Sequence, residues 1–249
     1  MIRLLQLTLR KDLATRLRYP LEWLLSTVGV AVLFVSILTA LPRGTVDPRL
    51  EANILAGYMT WLIYLYISQV AVQAITGKAA SGLIEREFLS PLGHLGMTLL
   101  TIGSNVLWNM PGYLVSGGIL ATLAFGSPGR LFAGLLYLPL AILFLFGLAL
   151  VFTAADLRWK RTAALFQPLQ FLMMMLAFFA TTDGRAIWHW IPYTAMSIRL
   201  RDVLLDGVRS GSLIDPRPLA PAAAMLALGI LVFRASDRRV MRDGTLAHY

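Results

Sequence analysis

The chain has 249 residues, 57% hydrophobic and 14% charged, with mean hydropathy +0.70 and net charge +9. A soluble domain of this size carries about 25% charged residues, so a water-facing globule is excluded. The positive charge does not point to nucleic acid, because membrane proteins gather Lys and Arg in cytoplasmic loops, and the absence of cysteine removes disulfides and thiolate metal sites.

Residues 1–19 are basic and half apolar. On a helical wheel Ile2, Leu5, Leu9, Leu13 and Leu17 share one side, while Arg3, Arg10, Lys11 and Arg18 share most of the other. The pattern predicts an interfacial helix lying along the membrane, held by apolar burial and by anionic lipids. No cleavable signal peptide is expected, since no small-residue cleavage site follows the first apolar run. Pro20 suits a first helical turn. Apolar runs near 20 residues then recur, and a ~30 Å hydrocarbon layer needs about 20 helical residues. Span one is expected over 21–41 and span two over 53–76, separated by a loop at 42–51 with two prolines. Span three covers 95–125 and includes Pro111; the turn GSPGR (126–130) follows. Span four covers 131–154, DLRWKR (156–161) is a basic loop, and span five covers 162–180. The segment 181–215 is too polar for another crossing. Trp188, Trp190 and Tyr193 predict an interfacial or re-entrant helical hairpin there. Span six covers 216–233, and a basic tail ends the sequence.

Six spans place both termini on one side. With the N-terminus inside, fourteen of the 22 Lys and Arg fall in the cytoplasm and eight outside, which favours an N-in, C-in topology. The fold class is therefore an all-α membrane protein of one domain, 1–249, without a soluble domain or an internal repeat.

Catalytic chemistry is not expected. Gly77-Lys78 is no phosphate loop, because Val72 stands where its first glycine belongs and Ala79 where its hydroxyl belongs. His94, His189 and His248 lie in separate regions with no metal-ligand spacing, and no nucleophile elbow is present. Polar residues inside spans are the remaining clue, since such groups avoid lipid and face other helices or a pathway. They are Ser68, Gln69 and Gln73, then Ser104, Asn105 and Asn109, then Gln167 and Gln170. Span five adds a soft wall of Phe171, Met173, Met174, Met175, Phe178 and Phe179. Candidate pathway residues are Gln69, Gln73, Asn105, Asn109, Gln167, Gln170 and Met174; helix packing accounts for each of them as well. No span centre carries an evident ionised group, which argues against a proton- or sodium-coupled carrier.

The strip SGLIEREFLSPLG (81–93) interrupts this apolar pattern on the cytoplasmic side. Its charges alone describe a solvated loop, with a short helix ended at Ser90-Pro91. Order and spacing add a resemblance to the type 2 family of ABC transporter permeases, mostly bacterial exporters. Its members often carry, after span two, a stretch like Gly-Thr-Leu-Glu followed five residues later by Ser-Pro. Gly82-Leu83-Ile84-Glu85 and Ser90-Pro91-Leu92 resemble it, with Leu83 replacing Thr and GKAAS (77–81) replacing charges upstream. The interfacial N-terminus, the six spans and IPYTAMSIRLRDVLLDG (191–207) also resemble the family, as does a basic tail with Gly244 and Tyr249.

The resemblance implies an inner-membrane permease subunit that is not itself an enzyme. ATP and magnesium would sit on a separate ATP-binding cassette subunit, and a second permease copy or a related permease would complete the pathway. Membrane lipids would surround the chain, and nucleic acid would play no part. Gly82, Glu85, Arg86, Glu87, Ser90 and Pro91 would couple the chain to the ATPase. Members export drugs, lipids, glycans and lipid-linked precursors. Arg199 and Arg201 suit an anionic substrate, and contact with headgroups accounts for them equally. The alternatives are a non-transporting membrane anchor or assembly subunit, and an ion-coupled secondary carrier.

Overall fold

The computed structural model describes residues 47–80, 87–126, 128–159, 163–183, 185–206 and 215–243, with isolated helical positions at 7, 10, 11, 13, 14, 17, 18, 29, 32, 35 and 36. The expected interfacial helix and first span therefore lie almost wholly outside the described residues. Every regular element among those described is helical.

Helix α1 (Pro48–Ala80) has 33 residues and contains the expected second span. Its start is written locally: the Asp47 carboxylate accepts the Arg49 N–H at 2.9 Å, and proline follows at the first helical position. Helix α2 (Gly93–Phe125) runs through Pro111 and stops at Gly126. There φ is +69°, a conformation that favours glycine, and the Gly126 N–H caps Thr122 O at 3.0 Å. A short α3 (Gly129–Gly134) and a 3₁₀ turn (Leu135–Tyr137) lead into α4 (Leu138–Trp159). Then come α5 (Ala163–Asp183), a 3₁₀ turn (Ala186–Trp190), α6 (Pro192–Asp206) and α7 (Leu219–Asp243).

Among the described residues four helices are long and apolar enough to cross a membrane: Pro48–Ala71, Gly93–Phe125, Leu135–Arg158 and Leu219–Arg242. The chain is thus a multi-pass helical membrane protein. Helix α1 is its axis: 78% of its apolar window is buried, against 17% for α7. It packs on α2, α4, α5 and α6. Two helices outrun their expected ends. Helix α4 carries Asp156 and Arg158 inside its last turns, and α7 continues through Arg234, Arg238 and Arg239. Neither stretch contains glycine or proline, and charge alone does not end a helix.

The segment 181–215 holds the least expected geometry. Tyr193 Oη donates to Met173 O at 2.9 Å, Ser197 Oγ to Ala177 O at 2.8 Å, and Arg201 to Thr181 O. Each donor lies twenty residues beyond its acceptor. A constant offset means that α6 runs parallel to α5, so residues 185–191 carry the chain back along α5 before α6 begins. From Asp183 back to Met173 is about 15 Å of helix, about half a hydrocarbon layer. This explains how a helix of low hydrophobicity is buried over most of its length: its polar side chains are spent on α5 carbonyls.

Helix α7 leans almost entirely on α4. The two backbones touch at a pair of glycines. A Cβ on Gly147 would overlap the Met225 carbonyl, and one on Gly229 would overlap the Gly147 carbonyl. Small residues permit this approach, from which membrane helices gain dispersion contact. Gly147→Val or Gly229→Val is expected to cost about 3 kcal/mol through overpacking, read as a lower thermal unfolding midpoint of the purified chain. Gly118→Ala, where nothing stands within 4 Å, serves as the control and leaves the midpoint unchanged or slightly raised.

Candidate functional site

The strip after α1 ends in a tight turn. Ser90 N–H donates to Glu87 O at 3.1 Å, and Gly93 N–H donates to Ser90 O at 3.0 Å. Gly93 has φ +64°, so glycine is needed where the turn enters α2. Leu89 projects from this turn with 86% of its surface exposed. Pro91 is exposed and Ser90 half-buried beside it. Gly82, Glu85 and Arg86 lie outside the described residues.

Glu87 does not point outward. Its side chain is buried, and its carboxylate lies 3.8 Å from His94 Nε2. The other imidazole nitrogen, Nδ1, is 2.8 Å from Asp237 Oδ1 near the C-terminal end of α7. A carboxylate accepts only, so Nδ1 carries the proton of this bond. Phe88 and Phe233 close over the imidazole, with ring centroids at 4.7 and 5.1 Å. His94 itself is 2% exposed. One histidine thus joins the turn, the first residues of α2 and the end of α7. Sequence spacing offered no sign of this junction, because its acids lie 150 residues apart.

The polar residues inside the spans separate into distinct environments. Asn109 Nδ2 donates to Asn105 Oδ1 at 2.5 Å, one turn apart on α2. Gln69 on α1 is exposed. On α1, Tyr58 lies near Ser116 of α2, and Met59 lies against Gly117. Gln170 is half-buried, and its carbonyl accepts Trp61 Nε1 at 3.3 Å. Met174 is half-buried beside it on α5. The side chains of Gln73 and Gln167 are outside the described set. The interior has a further polar seam: Tyr58, Tyr64, Tyr113 and Tyr193 are all buried, and Tyr64 meets Tyr193 edge-on at 6.3 Å. Tyrosines at 58 and 64 fall well inside a span rather than in an interfacial belt, which is the sequence signal for them.

At the other end of the bundle both candidate anion-binding arginines are engaged within the chain. Arg199 is 3.5 Å from Asp215 and lies over the Tyr137 ring at 5.8 Å. Arg217 shares Asp215 at 3.4 Å. Arg201 pairs with Asp202 at 2.5 Å and bonds Thr181 O. Burial, and after it the Arg199 guanidinium, holds His189 below the ordinary histidine range. Among the described residues no cluster of three His, Cys, Asp or Glu is placed to hold a metal.

Compared with known proteins, the chain matches no family model, no curated protein and no solved structure.

The junction has a direct test. His94→Ala leaves two carboxylates facing an apolar gap and is expected to cost about 3 kcal/mol of unfolding free energy, while Asp237→Asn costs about 1–2 kcal/mol. In the double variant the losses fall short of additive, because they share one bond. Additive losses in a thermal or denaturant series would show that the two side chains act apart.

Proposed function

We propose that this chain is the transmembrane subunit of an ATP-driven exporter. It would work as a dimer in the inner membrane, with both termini cytoplasmic and a separate ATP-binding subunit docked at the strip after α1. The observation that carries this reading is the His94 junction. The turn at the end of the strip continues into α2 through the main chain, and the Glu87 carboxylate lies 3.8 Å from His94, which is bonded to Asp237 of α7. A force applied to that turn reaches two long helices together. Such a connection is what a subunit needs if a partner's ATP cycle is to shift it between access states.

The exposed Leu89 and Pro91 supply apolar contact for the docked subunit, with Glu85 and Arg86 as rim charges that set orientation. Glu87 and Ser90 belong to the transmission step, Glu87 through His94, and Gly82 belongs to the approach of the strip. The parallel α5–α6 arrangement supports the reading further, since it stands where the resemblance expects a hairpin between spans five and six. Exposed Gln69 on α1 and the hydrogen-bonded Asn105 and Asn109 on α2 are the first pathway candidates, with Gln73, Gln167, Gln170 and Met174 as further ones. An exposed amide on a membrane helix is costly against lipid and is better placed on a pathway or a second copy.

Gentle isolation of the tagged chain from its native membranes is expected to recover a stoichiometric ATP-binding subunit. Combined Glu85→Lys, Arg86→Glu and Glu87→Lys substitution is expected to lower substrate-stimulated ATPase about tenfold, the size of a typical coupling energy, with assembly retained. Recovery of an intact assembly without ATPase would instead establish an anchoring subunit or an ion-coupled carrier.

A further inference from the structure

Helices α4 and α7 stay in contact past their glycine crossing. Beyond Gly147 and Gly229 the facing side chains are small, chiefly Ala154, Ala155 and Ala235, and the two helices leave a groove of about 380 Å³ between them. Ser236 Oγ donates to Ala154 O at 2.9 Å and ties its floor, so the groove is a fixed feature of the pair. Arg158 and Arg239, one from each helix, are exposed at its mouth. An apolar face continues along α7 from the groove through Val232, Leu231 and Leu228, which are 37%, 65% and 50% exposed.

We propose that this groove binds one anionic phospholipid, with an acyl chain laid along the α7 face and the headgroup phosphate between Arg158 and Arg239. The arrangement has both halves of that chemistry. Apolar surface on a membrane-crossing helix is complementary to an acyl chain, and paired guanidiniums at the end of the helices are complementary to a phosphate diester. A second copy is a poorer occupant, because two-fold symmetry would bring the same arginines face to face. The proposal rests on the multi-pass membrane reading and not on the transport function, so failure of either leaves the other standing.

The test is native mass spectrometry of the delipidated full-length chain, titrated with phosphatidylglycerol or phosphatidylcholine of matched acyl chains. One phosphatidylglycerol is expected to be retained in preference to phosphatidylcholine. Arg158→Gln with Arg239→Gln is expected to weaken that preference about five-fold per charge. Ala235→Phe, which fills the groove and leaves the charges, is expected to reduce retention of the lipid. Equal retention of the two lipids by the native chain, or an unchanged preference in either folded variant, would overturn the proposal. If neither variant folds, a phosphatidylglycerol with a photoreactive acyl chain decides on the native protein. Labelling within 151–158 and 228–239 supports the site; labelling confined to other segments sinks it.

Discussion

The ladder between α5 and α6 is the constraint from which most of the interior follows. In hydrocarbon every polar group must find an internal partner. Helix α6 carries Tyr193, Ser197 and Arg201 four residues apart, and α5 offers carbonyls at 173, 177 and 181 with the same spacing. Two helices can match such rows with one register only if they run parallel. The chain must therefore turn back after Asp183, and the turn is closed by Thr194 Oγ1 bonded to Trp188 O at 2.6 Å and to Ile191 O at 3.0 Å. Once α6 is placed, Tyr193 reaches Tyr64 on the central helix, and Arg199 is delivered to Asp215 and Tyr137. The arginines at this end are thereby structural ties, and their charge is largely neutralised within the chain.

The opposite end is organised by His94. A buried imidazole between two carboxylates and two rings combines electrostatic and apolar fixation in one side chain. Its partners come from the turn after α1 and from the end of α7, which otherwise touches little of the molecule except α4. Without this bond α7 would be held to the α1–α2 end through α4 and through the packing of Phe233 and Val240 near Phe88, Leu95 and Leu99. With it, the last helix is anchored twice, at the glycine crossing and at the junction.

The helical class and the approximate places of α1, α2, α4, α5 and α7 were legible in the sequence, because long apolar runs admit few other states in a bilayer. Helix ends were less so. The runs at 156–159 and 234–243 looked like loop and tail because they are charged, yet only glycine or proline would have stopped them. The strip was legible as a distinct feature, but its chemistry was not. Three adjacent charges read as one group in the sequence, which does not show that Glu87 turns to a histidine seven residues on. The ladder was hidden for a related reason: its spacing of four is ordinary in any helix and acquires meaning only when α5 presents carbonyls in the same phase. Gly147 and Gly229 were equally silent, since two isolated glycines 82 residues apart carry no local pattern.

These contacts divide the bundle mechanically. Helices α1, α2, α5 and α6 form one packed group around α1, and α4 with α7 forms a pair closed by backbone contact at the glycines. The two groups meet along α1 and α4, where Tyr64, Ile67 and Ser68 face Leu145, Leu148 and Ala149. Packed interfaces of this kind prefer discrete arrangements to continuous deformation. The His94–Asp237 bond spans the same division at the end of the bundle, so α2 and α7 are tied there independently of the α1–α4 seam.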